Sequence, residues 1–202
     1  GRSLPISIAG NHGNRPTGER SKFLGAFVHD HEATIRLSFF LGIFAVMAAW
    51  EMLAPRRGLT VSKVVRWINN LGLVALNAII LRLFFPAAAV GIAAFAADQG
   101  WGLLNYFQTP AWLAIPAAVI AMDFVIWLQH VMVHAIPLLW RLHRVHHADP
   151  DYDVTTGARF HPIEIILSML IKSATILLLG PPAAAVIIFE VLLNATAMFN
   201  HG

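Results

Sequence analysis

Five long apolar segments, separated by short polar ones, set the pattern of the chain. Each approaches the ~20 consecutive apolar residues that a helix needs to cross the hydrocarbon core of a bilayer. The last two are joined by Gly180, Pro181 and Pro182, which cannot continue a helix and therefore predict a sharp turn. We predict an all-α, integral-membrane helical bundle of three spans plus a helical hairpin. The apolar segments are residues 37–54, 71–97, 111–136, 163–179 and 183–199.

Residues 1–34 differ from the rest of the chain. They contain many Gly, Ser and Arg residues and show no sustained periodicity, so we predict a polar N-terminal segment. A cleavable signal peptide is not expected, because no apolar core of about 7–15 residues follows the first basic residues. Neither an internal repeat nor a Pro/Ser-rich linker divides residues 35–202, which we treat as one membrane domain.

Composition supports a membrane location and narrows the possible chemistry. The 202 residues are 57% hydrophobic and 12% charged, whereas soluble domains carry about 25% charged residues. The formal net charge of +3 is spread thinly. It lacks the basic stripe with interleaved aromatic residues that nucleic-acid binding requires, so nucleic acid is excluded as a partner. Because the sequence has no cysteine, any metal must be held by His and carboxylate groups.

Basic residues predict which side of the bilayer the loops face. They are absent from residues 98–110 but present before and after: Arg56, Arg57, Lys63, Arg66, Arg141, Arg144 and Arg159. Under the positive-inside rule, this alternation places residues 137–161 on the cytoplasmic side. Four basic residues disagree, since they would lie on the opposite side if the first span crosses once: Arg15, Arg20, Lys22 and Arg36.

Histidines are concentrated in one part of the chain, where six of the ten fall within residues 130–161. His130 and His134 form an HxxxH pattern, and residues i and i+4 of a helix lie on one face, about 5–6 Å apart. An HxxHH pattern follows, which on a helix supplies a set at i, i+3 and i+4: His143, His146 and His147. We expect these five imidazole rings to converge around bound metal.

The number of histidines bears on the metal. His161 and His201 flank the hairpin, which brings both to the same membrane surface. Imidazole suits Zn, Cu, Fe and Ni alike, but a structural zinc site closes with four ligands, so a larger set indicates two ions. A nitrogen-rich site without thiolate, set in a membrane, favours a di-iron centre that uses O2 on lipid. The other three are predicted to be solvated: His12, His29 and His31.

Several short elements near the histidines form a recognisable set. They are Pro137, the LWRxHxxHH block that ends at His147, Asp153 with Thr156, the RFHPIE sequence at 159–164, and FNHG at 199–202. Together these elements resemble the fatty acid hydroxylase and sterol desaturase superfamily of integral-membrane histidine-box oxygenases. The resemblance runs from Asp123 to the end of the chain and is far more specific than any single histidine spacing.

The resemblance implies a membrane-bound non-haem di-iron oxygenase. Its histidine boxes are expected at the cytosolic face, with iron as the metal, O2 as co-substrate and a separate electron-transfer protein as partner. The implied reaction is the hydroxylation or desaturation of a lipid, either a fatty acyl chain or a sterol-like molecule. The implied ligands are His130, His134, His143, His146, His147 and His201, with His161 as a ligand or the neighbour of one.

The chain departs from the superfamily at its end. Members continue past the NH-containing element to another HxxHH box, whereas this sequence stops at Gly202. We therefore expect a C-terminally truncated member whose membrane domain is incomplete and inactive by itself, or else a reduced homologue. The alternatives are a metal-binding pseudoenzyme, a membrane zinc hydrolase and a b-type cytochrome. A cytochrome is disfavoured because haem-ligating histidines should lie within separate spans.

Two charged residues inside the hairpin are predicted to pair. Lys172 and Glu190 lie nine residues on either side of Pro181, which puts both at a depth of ~13.5 Å from the turn. An unpaired charge at such a depth costs about 2.5–3.5 kcal/mol on insertion scales, which favours an ion pair between them.

Three acidic residues are assigned to orienting the histidine ligands. Asp123 lies ~10.5 Å of helix rise before His130, so we expect it to reach a histidine of a neighbouring helix, or alternatively Arg82. Glu164 either orients a histidine in the same way or stabilises the start of the hairpin helix. Asp153, which belongs to the superfamily resemblance, is placed in the same supporting group.

Overall fold

The computed structural model describes residues 31–55 and 58–201, the last without its side chain. This part of the chain is helical and contains no β-strand, as predicted. Two short 3₁₀ turns, His146–Ala148 and Thr156–Ala158, lie in the segment that links the third and fourth long helices. The α-helices are α1 Glu32–Leu53, α2 Lys63–Phe84, α3 Ala88–Asp98, α4 Leu103–Tyr106, α5 Ala111–Ala135, α6 Pro137–His143, α7 Pro162–Leu179 and α8 Ala183–His201.

Five helical stretches are long and apolar enough to span a membrane, so the predicted three spans plus hairpin are confirmed. Their outer faces expose large apolar side chains, among them Leu53 at 85%, Leu83 at 74% and Trp112 at 77%. Such surfaces are unfavourable in water and favourable in hydrocarbon. The fold is therefore that of an integral-membrane helical bundle. The predicted polar segment 1–34 lies almost entirely outside the described residues.

The second apolar segment differs from its prediction, because it does not form one continuous helix. Helix α2 begins at Lys63, well before the apolar run, and ends at Phe84, and α3 then begins at Ala88. Pro86 causes the break, since proline has no backbone N–H and disfavours the helical conformation of the residue before it. Phe85 is accordingly non-helical, with φ of −131° and ψ of 66°. Helix α3 has only 11 residues, so it is too short to cross the bilayer by itself.

The predicted hairpin is confirmed. Helix α7 ends at Leu179 and is followed by Gly180, whose φ of 65° is left-handed, and α8 begins after the two prolines. The turn also packs tightly: a Cβ on Gly180 would collide with the backbone carbonyl of Trp101 in the segment before α4. Glycine at this position therefore provides both the turn conformation and room for the neighbouring loop.

The predicted ion pair inside the hairpin is also confirmed. Lys172 Nζ lies 2.8 Å from Glu190 Oε1, and the Glu190 side chain is almost fully buried. Arg36 of α1 adds a second cation, with its Nε 3.1 Å from Glu190 Oε2, and is itself 2.7 Å from Glu32. Two positive and two negative groups thus lie together in the membrane-spanning part of the bundle, so their charges balance.

We expect the Lys172–Glu190 pair to show energetic coupling. Glu190→Gln leaves Lys172 and Arg36 facing each other without their carboxylate, so it should destabilise the protein more than Lys172→Met does. The double variant should lose less stability than the sum of the single variants, by about 0.5–3 kcal/mol, as for other contacting residues. Unfolding of the four proteins in detergent measures this difference. Ser173→Ala, on the adjacent helix position, should instead combine additively with Glu190→Gln, and additivity in both cycles would contradict the pairing.

The buried core has two parts. The larger is formed by α3, α5, α7 and α8 and contains Val90, Met122, Ile176 and Phe189. The smaller contains Met47 of α1, Met198 of α8 and Val154 of the linking segment. Gly157 shows how closely that segment approaches α8, since a Cβ there would lie 2.7 Å from the Ala197 carbonyl oxygen. The segment carrying the second histidine box is therefore packed against the bundle.

Candidate metal centre

The two histidine boxes meet because the chain turns sharply between α5 and α6. Ile136 is extended, with φ of −96° and ψ of 116°, and serves as the last flanking residue of α5 and the first of α6. Pro137 requires this conformation of its predecessor and is well suited to the first helical position. As a result, the last turn of α5 and the end of α6 face each other.

The first cluster of rings combines both boxes. The ring centroids of His130 and His134 are 4.8 Å apart, and those of His143 lie 4.9 Å and 4.7 Å from them. One nitrogen of each residue lies within 4.8 Å of the others. His143 is fully buried, whereas His130 and His134 are exposed at the surface of α5. The centre is therefore closed on the side of the bundle and open on the side of α5.

The remaining two box histidines complete the group. The ring of His147 is centred 5.0 Å from those of His134 and His143. His146 stacks on His143 at 5.3 Å and lies 5.0 Å from His147. The structure thus brings together all five rings that the spacing of the boxes was expected to bring together. Their role as metal ligands stays a prediction.

The second box differs from its prediction in one respect. It does not lie on a continuous helix, because α6 ends at His143 and His146 begins a 3₁₀ turn. Downstream, Pro150 holds Asp149 extended, with ψ of 122°, so no helix can continue through this position. His143 and His147 nevertheless remain on one side, because the intervening Arg144 and Val145 keep helical backbone angles.

Protein groups hold the Nδ1 atoms of all three histidines of the second box. His143 Nδ1 lies 2.7 Å from Glu164 Oε1, His146 Nδ1 lies 3.1 Å from the carbonyl oxygen of Arg159, and His147 Nδ1 lies 3.2 Å from the hydroxyl of Tyr152. A neutral histidine that donates Nδ1–H to a carboxylate or carbonyl carries its available lone pair on Nε2. This tautomer is assigned from the partners.

The Nε2 atoms of two rings of the second box are placed where a cation fits between them. His143 Nε2 and His147 Nε2 lie 3.2 Å apart. Two ligands of a single ion lie about 3.0–3.4 Å apart when each metal–nitrogen distance is about 2.0–2.1 Å. Two facing lone pairs at this distance repel each other unless a proton or a metal ion lies between them. The donor set of this chain therefore fits a metal bound through imidazole nitrogen.

Two predicted histidine ligands are not seen in the cluster. His161 instead caps α7, where its Nδ1 accepts a hydrogen bond from the backbone N–H of Ile163 at 3.1 Å. His201 ends α8, and its side chain lies outside the described residues. Their assignment as ligands stays a prediction. His12 and His29 also lie outside the described residues, and His31 is exposed, as expected.

The three acidic residues take different positions. Glu164 is placed for both roles predicted for it. It lies in the first turn of α7, and its carboxylate contacts His143. Asp153 has no hydrogen bond or ion pair to a described histidine, but it binds Arg66 and Trp67 behind the second box. Asp123 lies exposed on α5 and, within the described part of the chain, forms no hydrogen bond or ion pair with a histidine or with Arg82. The predicted role of Asp123 in orienting a histidine therefore has no supporting contact among the described residues.

A buried polar network next to the second box was missed in the sequence. Asp149 accepts hydrogen bonds from Arg66 Nε at 2.6 Å, Asn70 Nδ2 at 2.8 Å and Thr156 Oγ1 at 2.8 Å. Burial opposes the charge of Asp149, but the hydrogen bonds from Asn70, Thr156 and Arg66 outweigh it and lower the pKa of this carboxyl below its ordinary value. The signal available in the sequence was the polar face of α2, where Asn77 follows Asn70 by seven residues.

A second carboxylate ties the loop before α2 to the same segment. Asp151 accepts hydrogen bonds from the N–H groups of Thr60 and Val61, at 2.8 and 2.9 Å, and from the Thr60 hydroxyl at 2.9 Å. Burial raises the pKa of Asp151, and these hydrogen bonds more than reverse the effect, so the pKa lies below its ordinary value. The loop before α2 and the segment after α6 therefore lie on the same side of the membrane.

Fold and site together define a class: an integral-membrane helical protein with a cluster of histidines at one end of the bundle. Residues 115–202 match the family model described as fatty acid hydroxylase. This match and the relative described below support membership of the fatty acid hydroxylase superfamily, in agreement with the resemblance found in the sequence. All five box histidines and Glu164 lie within the matched residues.

A curated relative supports the same family. Over 70 residues, the chain is 30% identical to alkylglycerol monooxygenase of Homo sapiens. The aligned part is 35% of this chain but only 16% of that protein, so the chain spans about a sixth of the relative's length. No solved structure matches the chain.

Proposed function

We propose that this protein is a membrane-bound non-haem di-iron oxygenase that hydroxylates or desaturates a lipid with O2 and electrons from a separate carrier protein. The observation that carries the proposal is the convergence of the two histidine boxes. Nitrogens of His130, His134 and His143 lie within 4.8 Å of one another, and His147 Nε2 is 3.2 Å from His143 Nε2. The family match and the name of the relative favour an oxygenase acting on lipid.

The residues proposed to hold the irons are the five box histidines, with His161 and His201 as further candidates. When bound, the irons supply the activation of O2 by which a C–H bond is attacked. Glu164 keeps the proton of His143 on Nδ1, so that Nε2 remains available as a ligand. Trp140 lies beside the cluster, with its ring 5.3 Å from that of His134 and 5.6 Å from that of His147.

The open side of the cluster favours a substrate that arrives from the bilayer. Next to His130 and His134, α5 exposes the apolar side chains of Trp127, Val131 and Met132. A hydrocarbon chain lying against this face gains contact with apolar surface and reaches the histidines without crossing water. Whether the product is an alcohol or an alkene depends on the step after hydrogen removal, and both outcomes fit this arrangement.

Metal analysis and oxygen uptake test the proposal. The protein is purified anaerobically in detergent, and its iron and zinc contents are measured. We expect about two iron ions per chain, because the histidines exceed what a four-ligand zinc site uses. Iron-loaded protein given a chemical reductant and a long-chain lipid should consume O2 and oxidise the lipid. Zinc as the bound metal, or iron without lipid-dependent O2 uptake, would contradict the proposal and favour the hydrolase or the pseudoenzyme.

We also propose that the histidine cluster faces the cytoplasm. Arg141 and Arg144 are exposed beside His143, and the loop 98–110 at the other end of α5 has no basic residue. Since the sequence has no cysteine, Leu59→Cys offers a single labelling site next to Thr60, on the side of the cluster. Labelling of intact cells by a membrane-impermeant thiol reagent would reject this orientation. The expectation that the 202 residues are inactive by themselves finds no support in the structure or the comparisons.

A further inference from the structure

We propose that Asn70 of α2 is a positioning residue for the metal centre: it fixes the direction of the His146 imidazole through Arg159. This inference rests on the proposed function, because it concerns how a ligand is oriented. Asn70 is fully buried and lies outside residues 115–202, which the family model covers. It touches no histidine, so its effect on the centre is indirect.

The hydrogen bonds of Asn70 join the two ends of the segment that carries the second box. Its Nδ2 donates to Asp149 Oδ2 at 2.8 Å and to Thr155 Oγ1 at 2.9 Å. Its Oδ1 accepts from Arg159 Nη1 at 3.2 Å. Both amide hydrogens and the amide oxygen are therefore used. Asp149 lies two residues after His147, while Arg159 lies at the far end of the same segment.

The contact with Arg159 leads to the histidine ring. The carbonyl oxygen of Arg159 is the partner of His146 Nδ1 at 3.1 Å. Phe160 then stacks on the His146 ring, with centroids 4.6 Å apart and planes at 5°. Asn77, two turns further along α2, donates to the carbonyl oxygen of Phe160 at 2.9 Å. The polar face of α2 thus fixes both residues that determine how the His146 ring is turned.

The orientation of His143 does not depend on the Asn70–Arg159 contact, so loss of Asn70 should affect His146 and not His143. Its Nδ1 is held by Glu164 of α7, and α2 makes no described hydrogen bond to Glu164. Loss of the Asn70 amide should therefore let the Arg159 carbonyl move and the His146 ring rotate, while His143 keeps its direction. Changes to groups that orient a metal-bound histidine typically lower metal affinity 10–100-fold.

Asn70→Leu, which keeps the approximate volume of the side chain, tests the inference. Co2+ is titrated into the metal-free protein in detergent, and binding is followed through the visible absorption bands of Co2+, which respond to the nitrogen ligands. We expect the variant to bind Co2+ about 10–100-fold more weakly for at least one ion and to show altered bands. Wild-type affinity and bands in a folded Asn70→Leu protein would overturn the positioning role.

Trp67→Phe is the matched control for a purely structural effect. Trp67 lies on the same helix and donates to Asp153 of the same network at 3.0 Å, but it has no described contact with Arg159 or His146. Trp67→Phe should lower thermal stability and leave Co2+ binding unchanged. If the Trp67 and Asn70 variants weaken Co2+ binding equally, the selective role of Asn70 is refuted.

Arg159→Met breaks the same link from its other end and keeps the test valid if Asn70→Leu does not fold. It removes Nη1 but leaves the backbone carbonyl that His146 contacts. We expect the same weakening of Co2+ binding, and the double variant should bind no more weakly than Asn70→Leu, because both substitutions remove the contact between Asn70 and Arg159. Wild-type binding by Arg159→Met would refute the inference alone. Absence of Co2+ binding by the wild-type protein would refute the proposed function together with it.

Discussion

His143→Ala should weaken metal binding at the histidine cluster severely. His143 is the central residue, since its ring contacts those of His130, His134, His146 and His147. Removal of its imidazole ring therefore affects every part of the group. We expect affinity to fall by more than the roughly 10–100-fold typical of residues that only orient a ligand. Iron content after anaerobic purification, and equilibrium dialysis with Fe2+, measure the loss.

Two further measurements make the His143 result specific. His31→Ala alters an exposed histidine at the start of α1, and it should retain the wild-type iron content. Far-ultraviolet circular dichroism of His143→Ala should show that the helices persist, because the bundle is held by its apolar core and not by the metal. A folded His143→Ala protein that binds as much iron as the wild type would remove the basis of the metal centre.

Glu164→Ala should produce the second largest effect. The carboxylate accepts Nδ1–H of His143 at 2.7 Å in a buried setting, where it both fixes the tautomer and makes the ring a better ligand. We expect metal affinity to fall about 10–100-fold in Glu164→Ala. Glu164→Gln should lose less, because its amide oxygen can still accept the same hydrogen bond. Competition with a chelator, carried out on the three proteins side by side, gives the order of affinities.

A structural role for Glu164 predicts a different outcome. Glu164 is in the first turn of α7, where a negative charge stabilises the helix by about 0.3–1 kcal/mol. If this were its only contribution, Glu164→Gln would lower thermal stability slightly and leave chelator competition unchanged. Equal metal affinity in all three proteins would therefore contradict the role assigned to the contact with His143.

Much of the fold follows from local sequence patterns. Apolar length predicts the spans, and the two prolines after Gly180 predict the turn of the hairpin. The same turn predicts the Lys172–Glu190 pair, because equal distances from it mean equal depth. The histidine boxes converge for a related reason: a helix repeats every 3.6 residues, and Pro137 ends one helix and begins the next within a few residues of both boxes.

Contacts between distant parts of the chain could not be predicted in this way. Arg66 and Asn70 meet residues that are about eighty positions away, and no spacing rule links them to the second box. Pro86 lies among apolar residues, so the hydropathy pattern predicts a single segment where the structure has α2 and α3. Asp123 was assigned from helical periodicity alone, which places a residue on a face but does not supply its partner.

The charged group inside the bundle has a consequence for how the protein enters the membrane during synthesis. Glu32 and Arg36 are four residues apart on α1 and neutralise each other, so the first span can leave the insertion machinery before the rest exists. Lys172 and Glu190 neutralise each other only within the hairpin, so α7 and α8 are best released into lipid as a pair. The contact between Arg36 and Glu190 then joins two ion pairs, each of which is complete within its own part of the chain.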